Sequence, residues 1–214
     1  GHSGAQPRVA ELLVEFLNRR IHPVLPSRGS IGEADIAVLS HLALAMIGEG
    51  DVIAEGTRVA ARDALRKAQL EPLVPVAKEA LAILSSNAFT AGAAALAVYD
   101  VGHFLENAEV VATLSLEGLN GNVAPLSETA QALRPYQPQL EAADRIRRHL
   151  ESSFLYRPDP KRALQDPLSF RAASQVFGVA RDRVTTAEQK LTVQLNSSDD
   201  NPAMNLETGA VMPT

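Results

Sequence analysis

The stretch FTAGAAALAVYDVGHFLENAEVVATLSL, from Phe89 to Leu116, decides the fold. It holds no proline and few charges, and it is apolar around much of a helical circumference. A helix of that kind is enclosed by other helices rather than laid on a surface, so it is expected in the core of a bundle. Gly92 and Gly102 permit close helix contact at some cost in helix propensity. Its most apolar part, about Ala88 to Val101, is interrupted by Asp100 and preceded by Asn87. That part is expected to be too short and too weakly hydrophobic to span a bilayer.

Outward from this helix the pattern stays helical. Helical character extends back to Val74, with a break near Ser85-Ser86-Asn87. Further back, Pro7 suits a first helical turn. Val9, Leu12, Leu13, Phe16 and Leu17 follow at helical spacing. His22-Pro23 ends that helix, and Leu25 to Gly32 is a loop. A second helix starts near Asp35, a plausible cap, with Ile36, Leu39, Ala43 and Met46 on one face. Gly48 and Gly50 close it. A third runs from about Thr57 to Lys67. Downstream, a helix spans about Pro138 to Ser152, with Glu141, Arg145, Arg147 and Arg148 on its solvated side. A Pro-rich loop covers Tyr156 to Pro167, helix returns from Val179 to Leu195, and Asn196 to Pro202 is polar loop. Leu206 to Val211 is a small hairpin turn. The fold class is mainly α: a long-helix bundle with a small hairpin near the C-terminus. Residues 1–72 form a first region and 73–214 the long helical bundle.

Composition bounds the function. Apolar residues make up 46% of the 214, enough for a sizeable core, while aromatics are only 4%. The mass is Ala, Leu and Val, which favours close-packed helices. The net charge of −5 with scattered Lys and Arg excludes a basic nucleic-acid surface. The absence of Cys excludes disulfides, thiolate metal sites and a cysteine nucleophile. The five His are widely spaced and lack the pairing of a zinc helix. Gly29 and Gly32 do not make a phosphate loop, since its Lys is missing. Gly1-His2-Ser3-Gly4 is not a signal peptide, and a cytoplasmic setting is expected. The ending Val211-Met212-Pro213-Thr214 suggests a piece of a longer chain.

Four stretches in order resemble the histidine and phenylalanine ammonia-lyases of the aromatic amino acid ammonia-lyase family. The first is Gly1-His2-Ser3-Gly4 with His22-Pro23-Val24-Leu25-Pro26. The second is Gly29-Ser30-Ile31-Gly32 leading into Asp35-Ile36-Ala37-Val38-Leu39-Ser40-His41 and ending Gly48-Glu49-Gly50. The third is Ser115-Leu116-Glu117-Gly118-Leu119-Asn120-Gly121 with Arg134-Pro135-Tyr136-Gln137. The fourth is Gln165-Asp166, Ser169-Phe170-Arg171, Gln175-Val176-Phe177-Gly178, Asn196-Ser197 and Asp200-Asn201-Pro202. The match runs the length of the chain. It implies a mostly helical enzyme of the ammonia-lyase type, homotetrameric, with active sites assembled from several subunits and a much longer full chain. The implied missing parts are an N-terminal segment with a catalytic Tyr loop and a C-terminal helical region with a catalytic Glu, so the isolated piece is expected to be inactive.

The family's electrophile is methylidene-imidazolone, which forms from Ala-Ser-Gly. The Gly nitrogen attacks the Ala carbonyl and the Ser loses water to leave an alkene. The resemblance places that triad either between Gly32 and Asp35, where only Glu33 and Ala34 stand and one residue is missing, or, aligned back from His41, over Gly32-Glu33-Ala34; in both cases no Ser remains. Ser30 cannot substitute, because Ile31 follows it where Gly is required. No methylidene-imidazolone is therefore expected, and no other cofactor or metal. Two further departures are Ser85, where the family has an Asn beside the electrophile, and Leu168, where it has a Tyr. Gln165, Arg171 and Asn201 match. The resemblance implies that Arg171 binds the substrate carboxylate, a task suited to a planar guanidinium. It implies that Asn201 assists at the same end.

A loop without the electrophile and with the carboxylate clamp kept resembles the ergothionase branch of the family, which eliminates trimethylamine from a histidine betaine. The expected function is then a carbon–nitrogen lyase acting on an amino acid or betaine, with Glu33 a candidate to contact the cationic leaving group or to transfer a proton. Two alternatives stand beside it: an ordinary histidine or aromatic amino acid ammonia-lyase, and an inactive family member kept for assembly or binding. The plain reading of Glu33 is an acidic residue at a helix start. That of Arg171 is a surface ion-pair partner, and that of Asp200-Asn201-Pro202 a turn.

Overall fold

A computed structural model describes residues 2–198 and 200–213. In chain order the elements are α1 (Pro7–Asn18), β1 (Ile21–Pro23), α2 (Ile36–Met46), β2 (Asp51–Ala54), β3 (Thr57–Ala60), α3 (Ala61–Lys67), α4 (Glu79–Leu84) and α5 (Ala88–Gly118). Then follow α6 (Glu128–Ala132), α7 (Gln137–His149), α8 (Leu168–Arg171), α9 (Ala173–Leu195), β4 (Ala203–Met204) and β5 (Val211–Met212). The fold is mainly α, as expected. The chain packs into two compact units, one of Gly1–Ala93 with Val193–Thr214, the other Ala94–Thr192. The division falls inside α5 and α9.

In the first unit α1 begins with proline in its first turn and buries Val9, Leu12 and Phe16. These meet Met46, Val52, Ala61 and Leu65 in one core. Fully burying such side chains is worth about 1.5–3 kcal/mol each. Two expectations are corrected here. Ile21-His22-Pro23 is not merely a helix end. It pairs antiparallel with β2, Ile21 opposite Ala54. Residues 57–60 are strand rather than helix, with Val59 opposite Val52. Glu55 and Gly56, at φ 51° and 75°, make the tight turn of that hairpin. The buried face of α2 is Val38, Leu39, Ala45 and Met46, while Ile36 is exposed. β4 and β5 pair antiparallel on either side of the turn from Leu206, the hairpin expected from the sequence.

In the second unit Leu116, Ala143, Ile146, Leu150 and Leu155 form the core. A Cβ added at Gly178 of α9 would lie 2.7 Å from the Gln139 nitrogen in α7, so only glycine allows this approach. Arg145 does not lie on the solvated face that the sequence pattern gives it. Instead it grips Glu109, which is 1% exposed. Its Nε donates to Glu109 Oε2 at 3.0 Å, and Arg181 Nε donates to Oε1 at 2.8 Å. Burial alone would raise the Glu109 pKa; bonds from Arg181 and Arg145 outweigh it and hold it below the ordinary carboxylate range.

Two expectations for the long helix are also corrected. It runs unbroken to Gly118, 31 residues or about 46 Å at 1.5 Å per residue. The helical stretch Glu79–Gly118, with a mean hydropathy of 1.6 in its most apolar window, is long and apolar enough to cross a membrane by length and composition. Nor is the helix enclosed within this chain: Leu96, Tyr99, Phe104, Val111 and Leu114 are exposed.

Candidate active site

The loop at Gly32-Glu33-Ala34 is shaped by two glycines and one aspartate. Gly29 and Gly32 have φ of 120° and 85°, a region that side chains rarely adopt. The Gly32 N–H donates to Ser30 Oγ at 2.9 Å, and the Ser30 hydroxyl donates to Asp35 Oδ1. Asp35 is fully buried. It stands at the start of α2, but its side chain does not cap that helix. It reaches instead to α5, where it accepts from the Thr90 backbone N–H at 2.7 Å and from the Thr90 hydroxyl at 2.8 Å. Its own N–H donates to the Ser86 carbonyl at 2.7 Å. Burial would raise its pKa, yet the bonds from Ser30, Thr90 and the Phe89 backbone together lower it below the ordinary value. A buried ionised carboxylate thus ties the loop, the break after α4 and the first turn of α5 together.

Ser85 ends α4, half-buried, with its N–H on the Leu81 carbonyl at 2.8 Å. Asp35 therefore brings the 32–34 loop to the segment that carries Ser85. Within the loop Glu33 is exposed, and Gly32 and Ala34 are half-buried. Asn201 is an exposed turn residue of the same unit. Lys78, just before α4, holds that turn through Asp200 Oδ2 and the Pro202 carbonyl, each at 2.5 Å.

The second unit carries Gln165 and Arg171. Gln165 is exposed, and Arg171 is half-buried with its Nε donating to the Asp166 carbonyl at 2.8 Å. Asp166 is itself buried, accepting from the Asn122 N–H at 2.6 Å. One edge of the guanidinium is thus fixed to the backbone. The terminal nitrogens of a guanidinium are donors whose planar fork suits a carboxylate. Leu168 is exposed beside them.

Sequence reasoning missed Asp35 as the anchor of the loop, together with Thr90 and Lys78. The only local signal was the spacing Ser30-x-Gly32-x-x-Asp35. Among the described residues no cluster of acidic and His side chains could hold a metal. The loop does not fit methylidene-imidazolone either. Between Ser30 and Asp35 there is no Ser to supply the alkene, and the Ser30 hydroxyl is engaged by Gly32 and Asp35.

Comparison with known proteins shows which family the chain resembles. The family described as aromatic amino acid lyase matches residues 1–214. A histidine ammonia-lyase of Bacillus velezensis is 36% identical over 98% of this chain and 41% of its own length. The chain thus spans about two-fifths of such relatives. The crystal structure of the ergothioneine-degrading ergothionase of Treponema denticola, in complex with desmethyl-ergothioneine sulfonic acid, superposes with a TM-score of 0.95 at 40% identity. It covers all of this chain and 43% of that one. The histidine ammonia-lyase of Trypanosoma cruzi gives 0.88 at 28% identity, over all of this chain and 40% of that one. The match over residues 1–214 and the shared helical fold lead to one conclusion: this chain belongs to the aromatic amino acid lyase family.

Proposed function

We propose that the full protein is a carbon–nitrogen lyase that eliminates an amine from a histidine-like or aromatic amino acid, or from its betaine, without methylidene-imidazolone. The observation that carries this is the loop itself, Gly32-Glu33-Ala34, which keeps its anchorage through Asp35 but lacks the serine that the electrophile requires.

The chemistry follows from the leaving group. In an α,β-elimination a base takes the β-proton, the C–H pair becomes the alkene, and the C–N pair leaves with nitrogen. Free ammonia leaves poorly and calls for an electrophile. A quaternary ammonium leaves as neutral trimethylamine and does not. By the resemblance, Arg171 binds the carboxylate, with Gln165 nearby in sequence, and Asn201 assists, in sites assembled from several subunits. Glu33 faces the cationic nitrogen and holds it by charge attraction. Ser85 lines the position where an electrophile would otherwise be held. The likeness to ergothionase supports a betaine over a plain amino acid.

The exposed apolar side of α5 supports a homo-oligomer, a tetramer in the full protein, with helices of other copies covering Leu96, Phe104, Val111 and Leu114. The alternative cover, a bilayer, would have to accept Asp100, Glu106 and Glu117 on the same helix, a costly arrangement.

The test is direct. Full-length protein is incubated with histidine, phenylalanine, tyrosine and ergothioneine, and the ultraviolet absorbance of the conjugated acrylate is followed. Product from ergothioneine alone is expected. Acrylate from plain histidine would return the protein to the ordinary ammonia-lyases, and no product from any of the four would make it an inactive member. The intact mass gives a second check: cyclisation to the electrophile removes two waters, and no such loss is expected.

A further inference from the structure

We infer that Lys78 is a positioning residue for Asn201. The inference rests on the proposal that Asn201 binds substrate. The ammonium group of Lys78 contacts both neighbours of Asn201, donating to Asp200 Oδ2 and to the Pro202 carbonyl, each at 2.5 Å. The pair is shielded, with side-chain exposures of 20% for Lys78 and 7% for Asp200. A partly buried ion pair of this kind constrains geometry where an exposed one would not.

Lys78 is itself held firmly. The next residue, Glu79, is buried, and its carboxylate accepts from the Gln6 N–H at 2.8 Å and the Val76 N–H at 2.9 Å. The far side of the turn is closed as well. Met204 N–H donates to the His2 carbonyl at 2.6 Å. A Cβ at Gly4 would meet Met204 Cγ at 2.9 Å, so the N-terminal segment lies against the strand that follows Pro202. Asn201 is thus an exposed side chain on a backbone clamped from two directions. Lys78 also sits at the head of α4, and Ser85 at its end. One short helix therefore sets the distance between the Asn201 turn and the segment that Asp35 fixes to the catalytic loop. Lysine suits the task because one ammonium can donate to a carboxylate and a carbonyl at once.

The experiment uses the full-length protein with Lys78→Met, Lys78→Arg, Asn201→Ala and the double variant Lys78→Met/Asn201→Ala. For turnover of ergothioneine, Lys78→Met is expected to raise KM about tenfold or more with a smaller change in kcat, and Lys78→Arg to recover part of it. The double variant is expected to be no worse than Asn201→Ala alone, since Lys78 acts through Asn201. Additive losses would overturn the inference. Hydrogen–deuterium exchange gives a readout independent of turnover: the peptide over residues 200–206 is expected to exchange faster in Lys78→Met, while that over α2 is unchanged. Equal exchange of the 200–206 peptide in both proteins would overturn the inference even where activity changes. If the wild-type protein converts none of the substrates, the functional proposal falls, and the exchange result alone decides the role of Lys78.

Discussion

Asp35 and Thr90 are joined twice, the Thr90 N–H on one carboxylate oxygen and the Thr90 hydroxyl on the other, at 2.7 and 2.8 Å. The pair is 55 residues apart in sequence and couples the start of α2 to the first turn of α5. The Ser30 hydroxyl completes the set. An ionised carboxylate with this many donors is stabilised enough to stay charged while buried.

Asp35→Asn in the full-length protein is expected to lower stability by roughly 2–3 kcal/mol at neutral pH, because it removes a charge-assisted acceptor and leaves a buried donor mismatched. The sign of the pH dependence follows from the lowered pKa. The folded-state value lies below the unfolded one of about 4. The contribution is therefore fully present above that pH and is lost as pH falls through the folded value. Denaturant midpoints at pH 7 and near pH 3 check this: the difference between wild type and Asp35→Asn should shrink at the lower pH.

Glu109→Gln is expected to cost roughly 3–5 kcal/mol, since it strands the Arg145 and Arg181 guanidiniums in a largely buried setting. Replacing all three charges together, as Glu109→Leu/Arg145→Met/Arg181→Leu, should recover most of the loss. Thermal unfolding of the single and triple variants measures both. A triple variant less stable than the single one would show that the ion cluster stabilises beyond its own desolvation.

The long helices, the break at Ser85-Ser86-Asn87 and the terminal hairpin were legible because periodicity and turn residues are local signals. The β2–β3 hairpin was not. Thr57 to Lys67 reads as one helix unless Glu55-Gly56 is recognised as a tight turn, and Glu is an unusual residue at φ 51°. β1 is three residues long, and only its pairing with β2, Ile21 opposite Ala54, makes it a strand. Arg145 looked solvated because its partner Glu109 lies 36 residues back. The site was legible only as a set of positions. Its anchors, Asp35 with Thr90 and Lys78 with Asp200, are long-range contacts that no spacing rule encodes.

Placing charge on the open side of α5 tests the oligomer. Val111→Lys/Leu114→Lys removes two exposed apolar side chains without touching the unit's own core. In the full-length protein it is expected to shift sedimentation from tetramer toward smaller species, with activity lost in parallel if the sites are shared between subunits. The helical signal in circular dichroism should stay. Unchanged sedimentation would mean that this face is not the interface.

Glu33 carries the functional proposal most directly, and its exposure makes it a clean test. A surface substitution of this kind usually moves stability by less than about 0.5 kcal/mol. If Glu33 only favours the start of α2, Glu33→Gln changes stability by a few tenths of a kcal/mol and leaves turnover alone. If it faces a quaternary ammonium, the loss is electrostatic. Two unit charges about 4 Å apart at an effective dielectric of about 20 interact by about 4 kcal/mol before desolvation is counted. About a tenfold to hundredfold fall in kcat/KM for ergothioneine is then expected. Glu33→Asp should retain more activity than Glu33→Gln, because it keeps the charge while shortening its reach. Steady-state kinetics of the three proteins decide between the two roles, and equal kcat/KM across them would remove Glu33 from the site.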